Sequence, residues 1–206
     1  MNYINKLLDI LNIHPDNNQK WLLLSTFFSG LLVTYAAPTI TKTIITALPA
    51  EWIAFEALFG SLSGLLIGII WKGNVRDTAI KRFMWLAISE SAIGFILAMF
   101  LCFIHYNVWV FAIVSLLYTS FISIFVGKCV MAFKPKLWND KSREIYDNNY
   151  SIVSGIVCIT GYSLALIVMP SLKVSLFLWG LCCILDDIGW IYVYNKNREI
   201  IVNKTN

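Results

Sequence analysis

The sequence predicts an all-α integral membrane protein of six transmembrane helices, and three observations lead there. Of its 206 residues 58% are hydrophobic and 14% charged, with a mean hydropathy of +0.70; an ordinary globular chain has roughly 25% charged residues. The apolar residues gather into six runs of about 20 residues, the length that carries a helix across the hydrocarbon with every backbone polar group satisfied internally. Those runs do not alternate polar with apolar: stretches such as FILAMFLCF and LLIGIIW exclude a closed barrel built from roughly 10-residue alternating strands.

Residues 1–20 precede the first run. Within YINKLLDILNI the apolar Ile4, Leu7, Leu8, Ile10 and Leu11 make a face suited to lying along a membrane surface. The segment lacks the apolar stretch and small-residue cleavage site of a signal peptide, so a cytoplasmic amphipathic N-terminal segment is expected. The spans are then expected at 21–41, 52–71, 83–104, 107–127, 150–169 and 174–194, forming a domain over 21–195, with a cytoplasmic tail over 196–206.

Orientation follows from the cations. Lys6, Lys20, Lys72, Arg76, Lys81, Arg82, Lys128, Lys134, Lys136, Lys141, Arg143, Lys196, Arg198 and Lys204 fall on one side, and only Lys42 and Lys173 on the other. The positive-inside rule therefore predicts N-in/C-in topology in the cell membrane. The net charge of +4 belongs to this asymmetry, and no nucleic-acid partner is expected.

The remaining composition argues against an enzyme. Cys102, Cys158, Cys182 and Cys183 lie inside spans and Cys129 just past one, where reduced thiols serve as small apolar residues; no metal or cofactor is expected. His14 and His105 fall on opposite sides of the membrane, and His105 with Tyr106 makes the tight turn between the third and fourth spans. There is no nucleophile elbow, zinc-binding histidine pair or glycine-rich phosphate loop.

Between the second and third spans stands GNVRDTAIKRF, in which one acid, Asp77, lies among Lys72, Arg76, Lys81 and Arg82. Gly73, three residues, Asp77, and then the pair Lys81-Arg82 resemble the signature loop of the major facilitator superfamily, which lies between that family's second and third helices. Thr78 and Ile80 stand where the family usually has a base and a glycine. The stretch AFKPKLWNDKSREIYDNNYSIVSGI, with Pro135, Arg143 and Asn148 in order, is similar to the family's link between its fourth and fifth helices. The resemblance covers about residues 20–195, one six-helix half of a fold normally built from two halves.

What the resemblance implies is a half-size transporter that moves a small amphipathic solute by alternating access, with a second copy or a second half-size chain replacing the other half. It implies a conformational latch of Gly73, Arg76, Asp77, Lys81 and Arg82, with Asp77 facing the start of the partner's fifth helix, where the helix dipole is positive; the bland alternative is that Asp77 caps the third helix. It points to the first and fourth spans for a substrate cavity, with Phe27, Thr34, Tyr35, Trp109, Tyr118 and Thr119 as aromatic and hydroxyl candidates. Two departures speak against efflux: the fourth span has no arginine, and Gly161-Tyr162 stands where the family's antiporters have Gly-Pro.

Two further groups come from the residues themselves. Gly60, Gly64 and Gly68 repeat every fourth residue along the second span, and Ser154, Gly155 and Cys158 are small residues of the fifth; close helix approach is expected at both, either at a dimer interface or inside the monomer. Glu90, Asp186 and Asp187 lie inside spans, where an ionised acid costs about 2.5–3.5 kcal/mol on insertion scales. They are candidate proton-coupling groups, with hydrogen bonding to hydroxyls such as Ser89 or Ser91 as the structural alternative. The competing function class is a non-transporting membrane binding, immunity or accessory protein that uses the six helices as a scaffold.

Overall fold

The computed structural model describes residues 17–103 and 107–203. The expected surface helix before residue 17, His14, and the turn at His105 and Tyr106 lie outside the described residues.

Helices make up nearly all of what is described, and among the described residues there is no strand. They are α1 (Asn17–Ala47), α2 (Glu51–Ile70), α3 (Gly73–Lys81), α4 (Phe83–Phe103), α5 (Val108–Leu117), a π-helical segment (Tyr118–Ser123), α6 (Ile124–Leu137), α7 (Asp140–Ile167), α8 (Leu172–Lys196) and α9 (Arg198–Asn203). Six of these stretches are long and apolar enough to cross a membrane: α1, α2, α4, the continuous run from α5 through α6, α7 and α8. The chain is thus a helical membrane protein with the six spans expected.

The span ends differ from expectation in one systematic way. Helix α1 begins at Asn17 and runs to Ala47, so residues 17–20 are helical and continuous with the first span. The fourth span continues to Leu137 through Pro135, ten residues past its expected end, and α7 starts ten residues early at Asp140. Only Trp138 and Asn139 separate them. Asn139 caps α7 by accepting from the Ser142 N–H at 2.8 Å, and Pro135 is tolerated in the last turn. Apolar runs report the hydrocarbon width; hydrogen bonding carries a helix beyond it wherever the polar residues that follow permit.

The signature stretch is likewise not a loop but the helix α3. Gly73 opens it at φ 46°, a left-handed conformation that a side chain would strain. At the other end Arg82 interrupts the helix, and Tyr194 bridges the break: its hydroxyl donates to the Ile80 carbonyl at 2.6 Å and to the Lys81 carbonyl at 3.1 Å. The same tyrosine ring stacks with Phe83 and Phe133, and Ile201 of α9 is fully buried in this cluster. The expected tail is therefore partly a docked helix. Tyr194→Phe should lower unfolding free energy by about 1–3 kcal/mol, the cost of leaving buried carbonyls short of a donor, read as a lower melting temperature in detergent. An unchanged melting temperature would exclude this bridging role.

Span packing follows a simple plan. Helix α1 packs against α7 and α8, and α4 packs against α8 and against the π segment and α6. Helix α2 packs on the π segment and α6, and α1 touches α5. The second, fourth, first and fifth spans thus stand in one row, with the third and sixth behind it. Close approach is bought by glycine where backbones meet. A Cβ on Gly180 would sit 2.6 Å from the Ala98 Cβ, one on Gly189 2.8 Å from the Ser25 Cβ, and one on Gly30 2.8 Å from the Val157 Cγ1.

Candidate functional site

Three serine–carboxylate hydrogen bonds link four spans. Ser123, at the end of the π segment, donates to Glu90 Oε1 on α4 at 2.6 Å. Ser91, next to Glu90, donates to Asp187 Oδ2 on α8 at 2.7 Å. Ser29 on α1 faces Asp186 Oδ1 at 3.4 Å, a long bond. Chain geometry dictates the split: adjacent helical residues point about 100° apart, so Asp187 turns toward α4 and Asp186 toward α1.

Burial separates the three acids. Glu90 and Asp187 are each only 6% exposed, whereas Asp186 is exposed. Glu90 Oε2 is buried with no hydrogen-bond partner among the described residues. Of the expected hydroxyl partners, Ser91 binds an acid, though Asp187 and not its neighbour Glu90; Ser89 is exposed. A hydrogen bond between spans contributes about 1–2 kcal/mol at most in lipid, less than the cost of an ionised acid at that depth. Serine bonding alone therefore does not offset a charge on Glu90.

The π segment aims two side chains at this cluster. Its wider i→i+5 repeat carries Tyr118 and Ser123 toward the third and sixth spans. Tyr118 is 6% exposed and its ring meets Trp179 edge-on at 5.9 Å. Its hydroxyl lies where a Cβ on Gly94 would come within 2.9 Å, and the same Cβ would be 2.8 Å from Cys183 Sγ. Helical periodicity alone does not reveal this turn, and the expected span end at 127 set Ser123 only one turn from the surface.

The substrate-cavity candidates do not line one cavity. Thr34 is buried, its hydroxyl donating to the Gly30 carbonyl at 2.8 Å, and it is packed against Gly161 of the fifth span. Tyr118 points behind the row. Phe27 and Tyr35 are half-buried, and Phe27 packs on the core around Val157. Trp109, 47% exposed, stacks edge-on with Trp52 at 5.7 Å, and Thr119 is exposed with its hydroxyl bonded to the Ser115 carbonyl. A cleft of about 410 Å³ lies elsewhere, between α3, α4 and α6, lined by Asn74, Val75, Thr78, Ala79, Arg82, Leu86 and Phe125. A smaller apolar groove runs between α1 and α8 past Trp21, Phe28, Ile188 and Tyr192.

The latch residues cluster at one end of the bundle. Asp77 lies in the middle of α3, where it caps no helix, and pairs with Arg76 at 3.1 Å. The small-residue stripes face outward. A Cβ at Gly64, Gly68 or Gly155 would meet nothing within 4 Å, and one at Gly60 would reach only Ser120 Oγ at 3.9 Å; Ser154 and Cys158 are partly buried. Gly64, Gly68 and Gly155 thus make no close side-chain-sized contact within the chain. Among the described residues no group of His, Cys, Asp and Glu is placed to hold a metal ion. No family model, curated protein or solved structure matches this chain.

Proposed function

We propose that the chain is a half-size membrane transporter of the major facilitator type, inserted N-in/C-in in the cell membrane, that moves a small amphipathic solute by alternating access between two copies of itself. The observation that carries this is the pattern of span contacts. Exchanging spans one to three with spans four to six turns the pair 1–5 into 4–2 and the pair 1–6 into 4–3, and leaves 3–6 unchanged; every one of these contacts is present. That is the pattern expected of the inverted three-plus-three repeat nested in each half of a major facilitator.

Support for a second copy comes from the open glycines of α2 and α7, at opposite ends of the row formed by spans two, four, one and five. A two-fold axis in front of this row would bring α2 of one protomer to α7 of the other, with Asp77 close to the partner's α7. Glu90, Asp186 and Asp187 are the groups through which flux would couple to protons. The test is reconstitution: proteoliposomes with a pH-sensitive dye inside, challenged with a panel of small amphipathic solutes. Proton movement dependent on both protein and solute is expected; none from a folded, dimeric sample would refute transport coupling.

The second reading is a non-transporting binding or accessory protein on the same scaffold. It is favoured by the scattered cavity candidates, two of which, Thr34 and Tyr118, are taken up by packing. It predicts solute-independent behaviour in the same vesicles.

A further inference from the structure

The cleft between α3, α4 and α6 is almost wholly apolar inside, from Val75, Ala79, Leu86 and Phe125. The exposed polar residues Asn74, Thr78 and Arg82 stand along it at four-residue spacing. The volume of about 410 Å³ corresponds to about a dozen water-sized groups. Arg82 is exposed, and its guanidinium makes no hydrogen bond or ion pair with another described residue. Lys72, Arg76 and Lys81 belong to the same short stretch of sequence as Arg82, and its single acid, Asp77, pairs with Arg76.

Depth is marked by indoles. Trp71 at the end of α2 meets the lining residue Phe125 edge-on at 5.2 Å, and Trp85, next to the lining residue Leu86, is 67% exposed. Indole rings settle at the headgroup level of a bilayer. The cleft therefore combines an apolar slot with the exposed guanidinium of Arg82 at the level that the indoles mark.

We infer that this cleft is a binding site for one anionic phospholipid, with the phosphate on Arg82, Asn74 and Thr78 and the upper acyl chain against Val75, Ala79, Leu86 and Phe125. The site needs only the membrane embedding of the six spans and holds whether or not the chain transports a solute. Charge complementarity chooses the occupant: each Lys or Arg near the surface favours an anionic headgroup by about fivefold in affinity, and a zwitterionic lipid gains none of this.

The test is native mass spectrometry of the purified full chain in detergent, titrated with phosphatidylglycerol or phosphatidylcholine. The wild type should retain one phosphatidylglycerol about fivefold or more in preference to phosphatidylcholine. Arg82→Gln should abolish the preference. Val75→Trp, which fills the slot and leaves the charges in place, should weaken retention as well and serves if Arg82→Gln does not fold. Arg143→Gln, a cation paired with Asp140 away from the cleft, should change nothing. The site is overturned if the wild type shows no preference, if Arg143→Gln acts like Arg82→Gln, or if excess inorganic phosphate displaces the lipid, which would make it a simple anion site.

Discussion

Replacing Gly161 by valine should unfold or misassemble the bundle, with a loss of about 3 kcal/mol or more, toward the upper end for overpacked sites. A Cβ there would lie 2.8 Å from the Thr34 Cβ and 3.2 Å from the Tyr35 backbone nitrogen, besides overlapping the Thr34 hydroxyl. Backbone cannot retreat from backbone without separating α7 from α1, and that contact holds the core of Leu22, Leu23, Val153 and Val157. Gly155→Val on the same helix meets open space and should change stability by less than about 1 kcal/mol in the isolated chain. Gly161→Ala combined with Thr34→Ala should recover part of the single-mutant loss, because one substitution removes the hydroxyl that the other strikes. Unfolding in detergent, followed by circular dichroism, reads all of these. Equal effects at positions 155 and 161 would contradict the contact.

Glu90→Gln should abolish pH-dependent flux, by tenfold or more in rate, while leaving the fold within about 1 kcal/mol of wild type. The amide oxygen still accepts from Ser123, so the bond between the third and fourth spans survives. What is lost is the capacity to exchange a proton at a buried position whose second oxygen has no partner among the described residues. Proteoliposome flux measured across pH, beside a thermal melt of the same sample, separates the two effects. Unaltered flux and pH profile in a stable variant would remove Glu90 from coupling and leave it a packing residue.

Much of this architecture is legible in the sequence, and the parts that are not have specific causes. The apolar runs give all six spans because burial in hydrocarbon is a property of composition over about 20 residues. They misplace the ends of the fourth and fifth spans, because helix hydrogen bonds continue through AFKPKL and DKSREIYDNN where hydropathy has already fallen. Glu90, Asp186 and Asp187 stand out as acids in apolar helices and Ser91 as a nearby hydroxyl, but Ser29 and Ser123 are ordinary residues for a membrane helix, and a π turn decides where Ser123 points. Glycine spacing alone does not tell a contact inside the chain from a face left open. The regular repeat of Gly60, Gly64 and Gly68 is open, whereas the irregularly spaced Gly30, Gly94, Gly161, Gly180 and Gly189 hold the helices together. Which face of a span meets a neighbour depends on the other five, and that is not written in one helix's own period.

In the proposed assembly two copies meet through the open glycine faces, and native mass spectrometry in lipid nanodiscs reads the subunit count. A wild-type dimer that Gly64→Leu converts to a folded monomer is the predicted result, since a Cβ at that position meets nothing within 4 Å in the chain. A monomer in both samples, or a dimer indifferent to Gly64→Leu, would contradict the two-fold assembly at this face.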